Sequence, residues 1–191
     1  MRHTTMLVVC TLALAICAGS AFAATTTPPA DTLKVNYFSN ANTAGAPDGT
    51  VRITHPGTAT GNVCASIFVF DPQQELTECC SCLLTPDGLR TLSVNTNLTG
   101  NPLTGVILST GVIKIVSTIP VSGACPLPTK VNSEPALRAW GTHIQNGGAV
   151  TETAFEDATL SVGENNRLAA QCFAIQLDGS GKGVCSCGTG D

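Results

Sequence analysis

The sequence predicts a mainly β fold with one helix near its C-terminus, stapled by disulfides, and three observations carry that expectation. Apolar and polar residues alternate with the two-residue period of half-buried strands, in short stretches separated by Gly, Pro and Asn turns. Eight cysteines lie beyond residue 23 of a chain whose start reads as an export signal. A single stretch, after Ser161, has helical periodicity behind a capping sequence.

Arg2 and His3 precede an apolar run from Met6 to Ala18, and Ala21-Phe22-Ala23 then supplies the small-x-small pattern that signal peptidase accepts. Residues 1–23 are expected to be a cleaved signal peptide, with the cut after Ala23 or Ala24. The run is shorter than the roughly 20 residues a spanning helix needs. Leu14-Ala15-Ile16-Cys17 has the outline of a lipoprotein signal, but Ile16 stands where that peptidase wants Gly or Ala. The ending Gly188-Thr189-Gly190-Asp191 has no hydrophobic tail for a lipid anchor. These features predict secretion, extracellular or periplasmic, with no membrane association once the signal is removed. Residues 24–31 are expected to form a flexible Pro-containing arm, and residues 32–191 a single disulfide-bearing β domain. The 168 residues after Ala23 carry eight Lys and Arg against thirteen Asp and Glu, which excludes the clustered positive charge of a nucleic-acid binder.

Leu33, Val35 and Tyr37 alternate with Lys34 and Asn36, and Val51 and Ile53 with Arg52, each as one strand. The first of these either pairs within its own sheet, the favoured reading, or is donated to a neighbouring molecule. Ala65 to Phe70 is apolar on both faces and predicts a central strand. Asp71-Pro72-Gln73-Gln74 predicts a turn from which Glu75 to Cys82 returns antiparallel. Folding about residues 72 and 73 sets Cys64 opposite roughly residue 81, which makes Cys80 or Cys82 its expected partner. Thr85-Pro86-Asp87-Gly88 is a further turn, Leu89 to Val94 the next strand, and Val112 to Ile119 an apolar strand closed by Pro120. Asn146-Gly147-Gly148 joins Ala136–Ile144 to Val150–Glu156 as a hairpin, in a register that sets Arg138 opposite Glu156. The strand count suggests an antiparallel sandwich, immunoglobulin-like in type.

Ser161-Val162-Gly163-Glu164 is a capping box for a helix near residues 162–176, whose Leu168, Cys172 and Ile175 form one apolar stripe before Asp178-Gly179-Ser180-Gly181 ends it. Cys172 then points inward and is expected to pair with Cys185 or Cys187. Cys10 and Cys17 leave with the signal. Cys64, Cys79, Cys80, Cys82, Cys125, Cys172, Cys185 and Cys187 remain as candidates for up to four disulfides. A metal site in Cys79-Cys80-Ser81-Cys82 and Cys185-Ser186-Cys187 is the rival, but structural zinc prefers pairs spaced two to four residues apart. Cys79 and Cys82 have the spacing of a redox pair, yet lie in a strand rather than at a helix N-terminus.

The run Cys64-Ala65-Ser66-Ile67-Phe68-Val69-Phe70-Asp71, the cluster Glu78-Cys79-Cys80-Ser81-Cys82 and the ending Gly179-Ser180-Gly181-Lys182-Gly183-Val184-Cys185 resemble a group of uncharacterised exported Cys-rich bacterial proteins. The resemblance covers most of the chain after the signal; it implies export and disulfides and brings no activity, ligand or partner.

No catalytic, cofactor-binding or metal set is predicted. Gly179 to Gly183 imitates a phosphate loop, but Gln176 stands where a Gly is needed, Gly183 where a Ser or Thr is needed, and the segment follows a helix. His55 and His143 are read as exposed, without a nucleophile elbow. Glu152, Glu156 and Asp157, and again Asp71, Glu75 and Glu78, read as solvated strand faces unless the fold converges them. No calcium loop is present, and Asn97-Leu98-Thr99 is a glycosylation sequon whose relevance depends on the secretory pathway. The leading expectation is a noncatalytic extracellular or cell-surface module with a protein or surface partner. A hydrolase using carboxylates or His, and a thiol-based metal or redox protein, are the alternatives.

Overall fold

The computed structural model describes residues 32–127 and 136–188; the expected signal peptide and the whole of the N-terminal arm lie outside the described residues. The fold is mainly antiparallel β with one C-terminal helix. In chain order the strands are β1 (Leu33–Phe38), β2 (Thr50–Thr54), β3 (Val63–Phe70), β4 (Leu76–Leu84), β5 (Leu89–Ser93), β6 (Gly111–Thr118), β7 (Arg138–Ile144), β8 (Val150–Ala154) and β9 (Glu156–Ala158), followed by helix α1 (Val162–Asp178). They form a five-stranded sheet ordered β4-β3-β6-β1-β9 and a four-stranded sheet ordered β5-β2-β7-β8.

β3 is buried at every position, which explains why its sequence shows no alternation. Ala65, Ile67 and Val69 face the core between the sheets, where they meet Val51, Ile53, Leu92 and Ala139. Phe68 and Phe70 point the other way, into a second cluster beneath α1 with Leu168, Ala169, Cys172 and Ile175. The helix therefore covers the outer face of the larger sheet with the stripe its sequence predicts. Ser161 caps it by accepting from the Glu164 amide, while the Glu164 carboxylate turns to Lys114 and Arg167. Gly179 ends it at φ 68°, a left-handed conformation natural to glycine. At the start of β6, a Cβ on Gly111 would sit 2.3 Å from the Phe70 carbonyl oxygen, so the β3–β6 approach requires glycine there.

The β3–β4 hairpin is real, but Cys64 lies opposite Leu83, not residue 81. The connection spans five residues, from Asp71 to Glu75, and the ladder shifts by one more between Val69 and Phe70. Parity then decides the chemistry. Cys80 and Cys82 stand opposite Ile67 and Ala65 on the inner face, whereas Cys64 points outward. Cys64 instead pairs with Cys125, in the segment after β6. The expected partner of Cys172 is corrected for the same reason. Cys79 stands opposite outward-facing Phe68, beneath α1, and forms the disulfide with Cys172.

Cys80 and Cys82 pair with Cys185 and Cys187. These bonds belong to a tail running parallel to β4, where Cys79 bridges Val184. The Cys79 amide donates to Gly183 O at 2.8 Å, and the Cys185 amide donates to Cys79 O at 3.2 Å. The Leu103 amide donates to Thr77 O, and Arg90 Nε to Leu83 O. Four of the outward backbone groups of this edge strand, Thr77 O, the Cys79 amide and carbonyl, and Leu83 O, are thereby occupied, which obstructs pairing by a second chain. At the other side β1 lies between β6 and β9 of its own chain, as the favoured reading of that strand expected. The β7–β8 hairpin forms around Asn146-Gly147-Gly148, but at Phe155 the chain leaves for the other sheet, so Glu156 pairs with Val35 instead of continuing along Arg138.

A Cys172→Ala substitution should release one thiol, and peptide mapping after alkylation should locate it at Cys79 and not at Cys185 or Cys187. The Tm should fall, because removing a native disulfide from a small domain costs about 2–5 kcal/mol.

Candidate functional site

Where β8 crosses over to become β9, a groove of about 480 Å³ opens at the side of the sandwich. β1 contributes Val35, Asn36 and Tyr37, β7 His143, β8 Thr151, Thr153 and Ala154, and β9 Glu156; Gln145 and Val112 complete the lining. Three features set this shape. The three-residue β9 covers β1 only as far as Val35 and leaves Tyr37 uncovered. The ion pair between buried Lys34 and Asp157 ties β9 to β1. Gly141 lets the wall close, since a Cβ there would sit 2.9 Å from Asn36 Nδ2 and 3.1 Å from the Phe155 ring.

Tyr37 is 57% exposed, and its ring lies 4.3 Å from the imidazole of His143 at an interplanar angle of 43°. The ring thus leaves an aromatic face open beside the groove instead of folding it into the core. His143 itself is buried, a correction to its expected exposure, and burial pushes its pKa below the usual histidine value, so it is neutral at neutral pH. Its Nε2 lies 2.7 Å from Thr153 Oγ1, while Nδ1 is buried without a hydrogen-bond partner. Asn36 Oδ1 accepts from the Tyr37 amide and its Nδ2 is likewise unpartnered.

The groove offers amides, hydroxyls, a neutral imidazole, one carboxylate and an aromatic face, with no Lys or Arg in its lining. That set can hydrogen-bond a neutral polar ligand and stack on it. It supplies no carboxylate pair, since Glu152 is engaged with exposed Arg52 at 2.6 Å and Asp157 with Lys34. His143 and Thr153 do make the contact of a base with a hydroxyl nucleophile, but the imidazole lacks the group on Nδ1 that would orient it.

The remaining sequence candidates lie elsewhere. His55 is also buried, not exposed, and structural in role: Nε2 lies 2.8 Å from Gly61 O, and the Gly57 amide donates to Nδ1, which places the proton on Nε2. Its neighbour Thr54 pairs with Arg138, five residues along β7 from His143, so the two imidazoles do not meet. Sulfurs of Cys80, Cys82 and Cys187 lie within 4.8 Å of one another, yet all are held in disulfides and offer no thiolate to a metal. In the sequon, Asn97 Nδ2 donates to Ser186 Oγ at 2.7 Å and Thr99 is buried. Asp71 caps its own turn, accepting from the Glu75 amide. The sequence reading missed Tyr37 and Asn36 because both sit within an ordinary alternating strand.

Glu78 is the most perturbed acid among the described residues. It is fully buried beside the tail and accepts from the Asn101 amide at 2.9 Å, while Oε2 has no partner. Burial raises its pKa from 4.5 to about 7, against the lowering effects of the Asn101 hydrogen bond and the Lys182 charge. It lines none of the grooves described, so it bears on stability rather than on ligand. Among the described residues no helix is long and apolar enough to cross a membrane.

No known protein family, curated protein or solved structure is significantly similar to this chain.

Because the folded pKa of Glu78 lies above its unfolded value, its contribution to stability is fully present below pH 4.5 and is lost as pH rises to about 7. Glu78→Gln keeps an acceptor for Asn101 but does not titrate. The variant should gain stability relative to the parent as pH rises from about 5 to about 7.5, which denaturant melts across that window would measure. A pH-independent difference between the two would show that Glu78 titrates normally in the folded protein.

Proposed function

We propose that this protein is an exported, noncatalytic binding module whose groove beside Tyr37 seats a neutral, polyhydroxylated ligand, a saccharide in chemical class. The observation that carries the reading is the open ring of Tyr37 beside a groove lined by amides and hydroxyls without a cation. A sugar ring presents an apolar face that stacks on an aromatic side chain and a rim of hydroxyls that exchange hydrogen bonds with Asn, Gln and Thr. The lack of Lys and Arg in the lining disfavours an anionic ligand, and the neutral His143 adds no charge. Export is supported by Ala21-Phe22-Ala23 behind the apolar N-terminal run, and four disulfides suit an oxidising compartment.

The hydrolase reading rests on one observation, the His143 to Thr153 contact. Turnover of ester or glycoside substrates that disappears in both His143→Gln and Glu156→Gln would establish it and remove the noncatalytic one.

Affinity electrophoresis of the mature protein through gels containing neutral polysaccharides should show retardation by at least one of them. Tyr37→Ala should weaken that binding about tenfold or more, equivalent to roughly 1.4 kcal/mol, and Arg52→Ala, outside the groove, should leave it unchanged. No retardation on any neutral polysaccharide, or retardation indifferent to Tyr37→Ala, would refute the saccharide seat. When the full chain is expressed with its own leader, the intact mass of the exported protein should match a start after Ala23 or Ala24.

A further inference from the structure

The groove beside Tyr37 continues past the end of β7. A second hollow of about 350 Å³ follows it, between the segment that leaves β1 and the β7–β8 turn, and Gln145 lines both. Chain order sets the two in a row. On one side Val35, Asn36 and Tyr37 line the first hollow and Asn40 the second; on the other His143 lines the first and Asn146 the second. Where they meet, Ser39 Oγ and Asn40 Nδ2 both donate to the carbonyl oxygen of Ile144, which fixes the exit of β1 against the end of β7. Val35 to Phe38 alone covers about 10 Å at a strand rise of about 3.3 Å per residue, and Asn40 lies beyond it, so the seam is longer than one sugar ring.

The second hollow repeats the chemistry of the first without its aromatic ring. Thr43 supplies a hydroxyl, Asn40, Gln145 and Asn146 supply amides, and no charged side chain lines it. Much of the remaining lining is bare backbone. Gly45, Gly147 and Gly148 hold φ of 80°, 89° and 82°, left-handed conformations that glycine adopts without strain, and a Cβ on Gly45 or Gly147 would meet no atom within 4 Å. Peptide groups are therefore open to a ligand at this end, where side chains would keep it away. Both ends of the seam are exposed, at Glu156 and at Ala44-Gly45, which lets a chain enter at one and leave at the other. Each further sugar along such a seam brings hydroxyls for hydrogen bonds, while stacking is confined to the part beside Tyr37.

We propose that the two hollows are successive subsites for one linear, neutral oligosaccharide chain, stacked on Tyr37 in the first and hydrogen-bonded by Thr43, Asn146 and exposed peptide groups in the second. With the first hollow read as a saccharide seat, on which this inference rests, the seam recognises the interior of a chain rather than a single sugar.

Isothermal titration calorimetry of the mature protein with linear glucan, xylan, mannan and galactan oligosaccharides of two to about six residues tests it, with far-UV circular dichroism to verify the fold of each variant. Within a series that binds, affinity should rise about tenfold or more from the disaccharide to the hexasaccharide. Tyr37→Ala should weaken binding at every length. Thr43→Ala combined with Asn146→Ala, both at exposed loop positions, should leave the disaccharide within about twofold of the parent and reduce the gain with length to about threefold or less. Equal affinity at every length overturns the subsites while the saccharide seat stands, and so does a larger gain with length that survives in the double variant. A protein retarded by a neutral polysaccharide that binds none of these oligosaccharides overturns the subsites alone. The absence of both kinds of binding refutes the saccharide reading and the subsites with it.

Discussion

The parallel docking of the C-terminal tail on β4 is the contact on which the rest of the architecture leans. Val184 bridges Cys79, Cys185 bonds Cys80, and Cys187 bonds Cys82, with the two disulfides sharing a sequence separation of 105. One register thus runs through three successive links. Because side chains alternate across a strand, the same few residues of β4 serve both faces. Cys80 and Cys82 hold the tail from the inner side, while Cys79 holds α1 through Cys172 on the outer side. Glu78, buried in the same strand, has an oxygen on the Asn101 amide, and Asn101 in turn accepts from the Gly183 amide. A strand that would otherwise be an exposed edge becomes the most heavily tied element of the fold.

The opposite side of the sandwich is constructed differently. There the sheets are joined by a chain crossing at Phe155 rather than by covalent links, and the short β9 leaves part of β1 uncovered. The groove exists because this side is incompletely closed. Its freedom from cations follows from how the nearby charges are consumed: Lys34 by Asp157, and Arg52 by Glu152. What is left in the lining is an aromatic ring with amides, hydroxyls and the Glu156 carboxylate around it.

Much of this fold was legible where local physics decides it. The alternation in β1 and β2, the doubly apolar β3, the Asn-Gly-Gly hairpin and the capped helix all follow from periodicity and turn chemistry, and all are present. Disulfide partners were not legible because they depend on parity. A two-residue displacement in the β3–β4 ladder, together with the face on which each cysteine stands, took Cys64 to Cys125 and Cys172 to Cys79. A usable signal did exist in the matched Cys80-Ser81-Cys82 and Cys185-Ser186-Cys187, since two i, i+2 pairs on neighbouring strands place two sulfurs of each on one face. The groove was harder to read. Tyr37 is an ordinary alternating residue until β9 proves too short to cover it, and His143 is polar in sequence yet buried by the strands around it.

The spacing of the cysteines also dictates a timetable. In a chain that crosses a membrane from its N-terminus, Cys79, Cys80 and Cys82 reach the oxidising side well before their partners, which lie 93 to 105 residues further on. Three neighbouring thiols thus wait beside Cys64, whose own partner follows after 61 residues. Pairing in order of arrival would join early cysteines to one another and trap β4 away from α1 and the tail. The three bonds of β4 therefore close only after α1 and the tail have emerged, and any earlier bond among these cysteines has to be undone by thiol–disulfide exchange. On the proposed export route, oxidation of this chain calls for a disulfide isomerase as well as an oxidant.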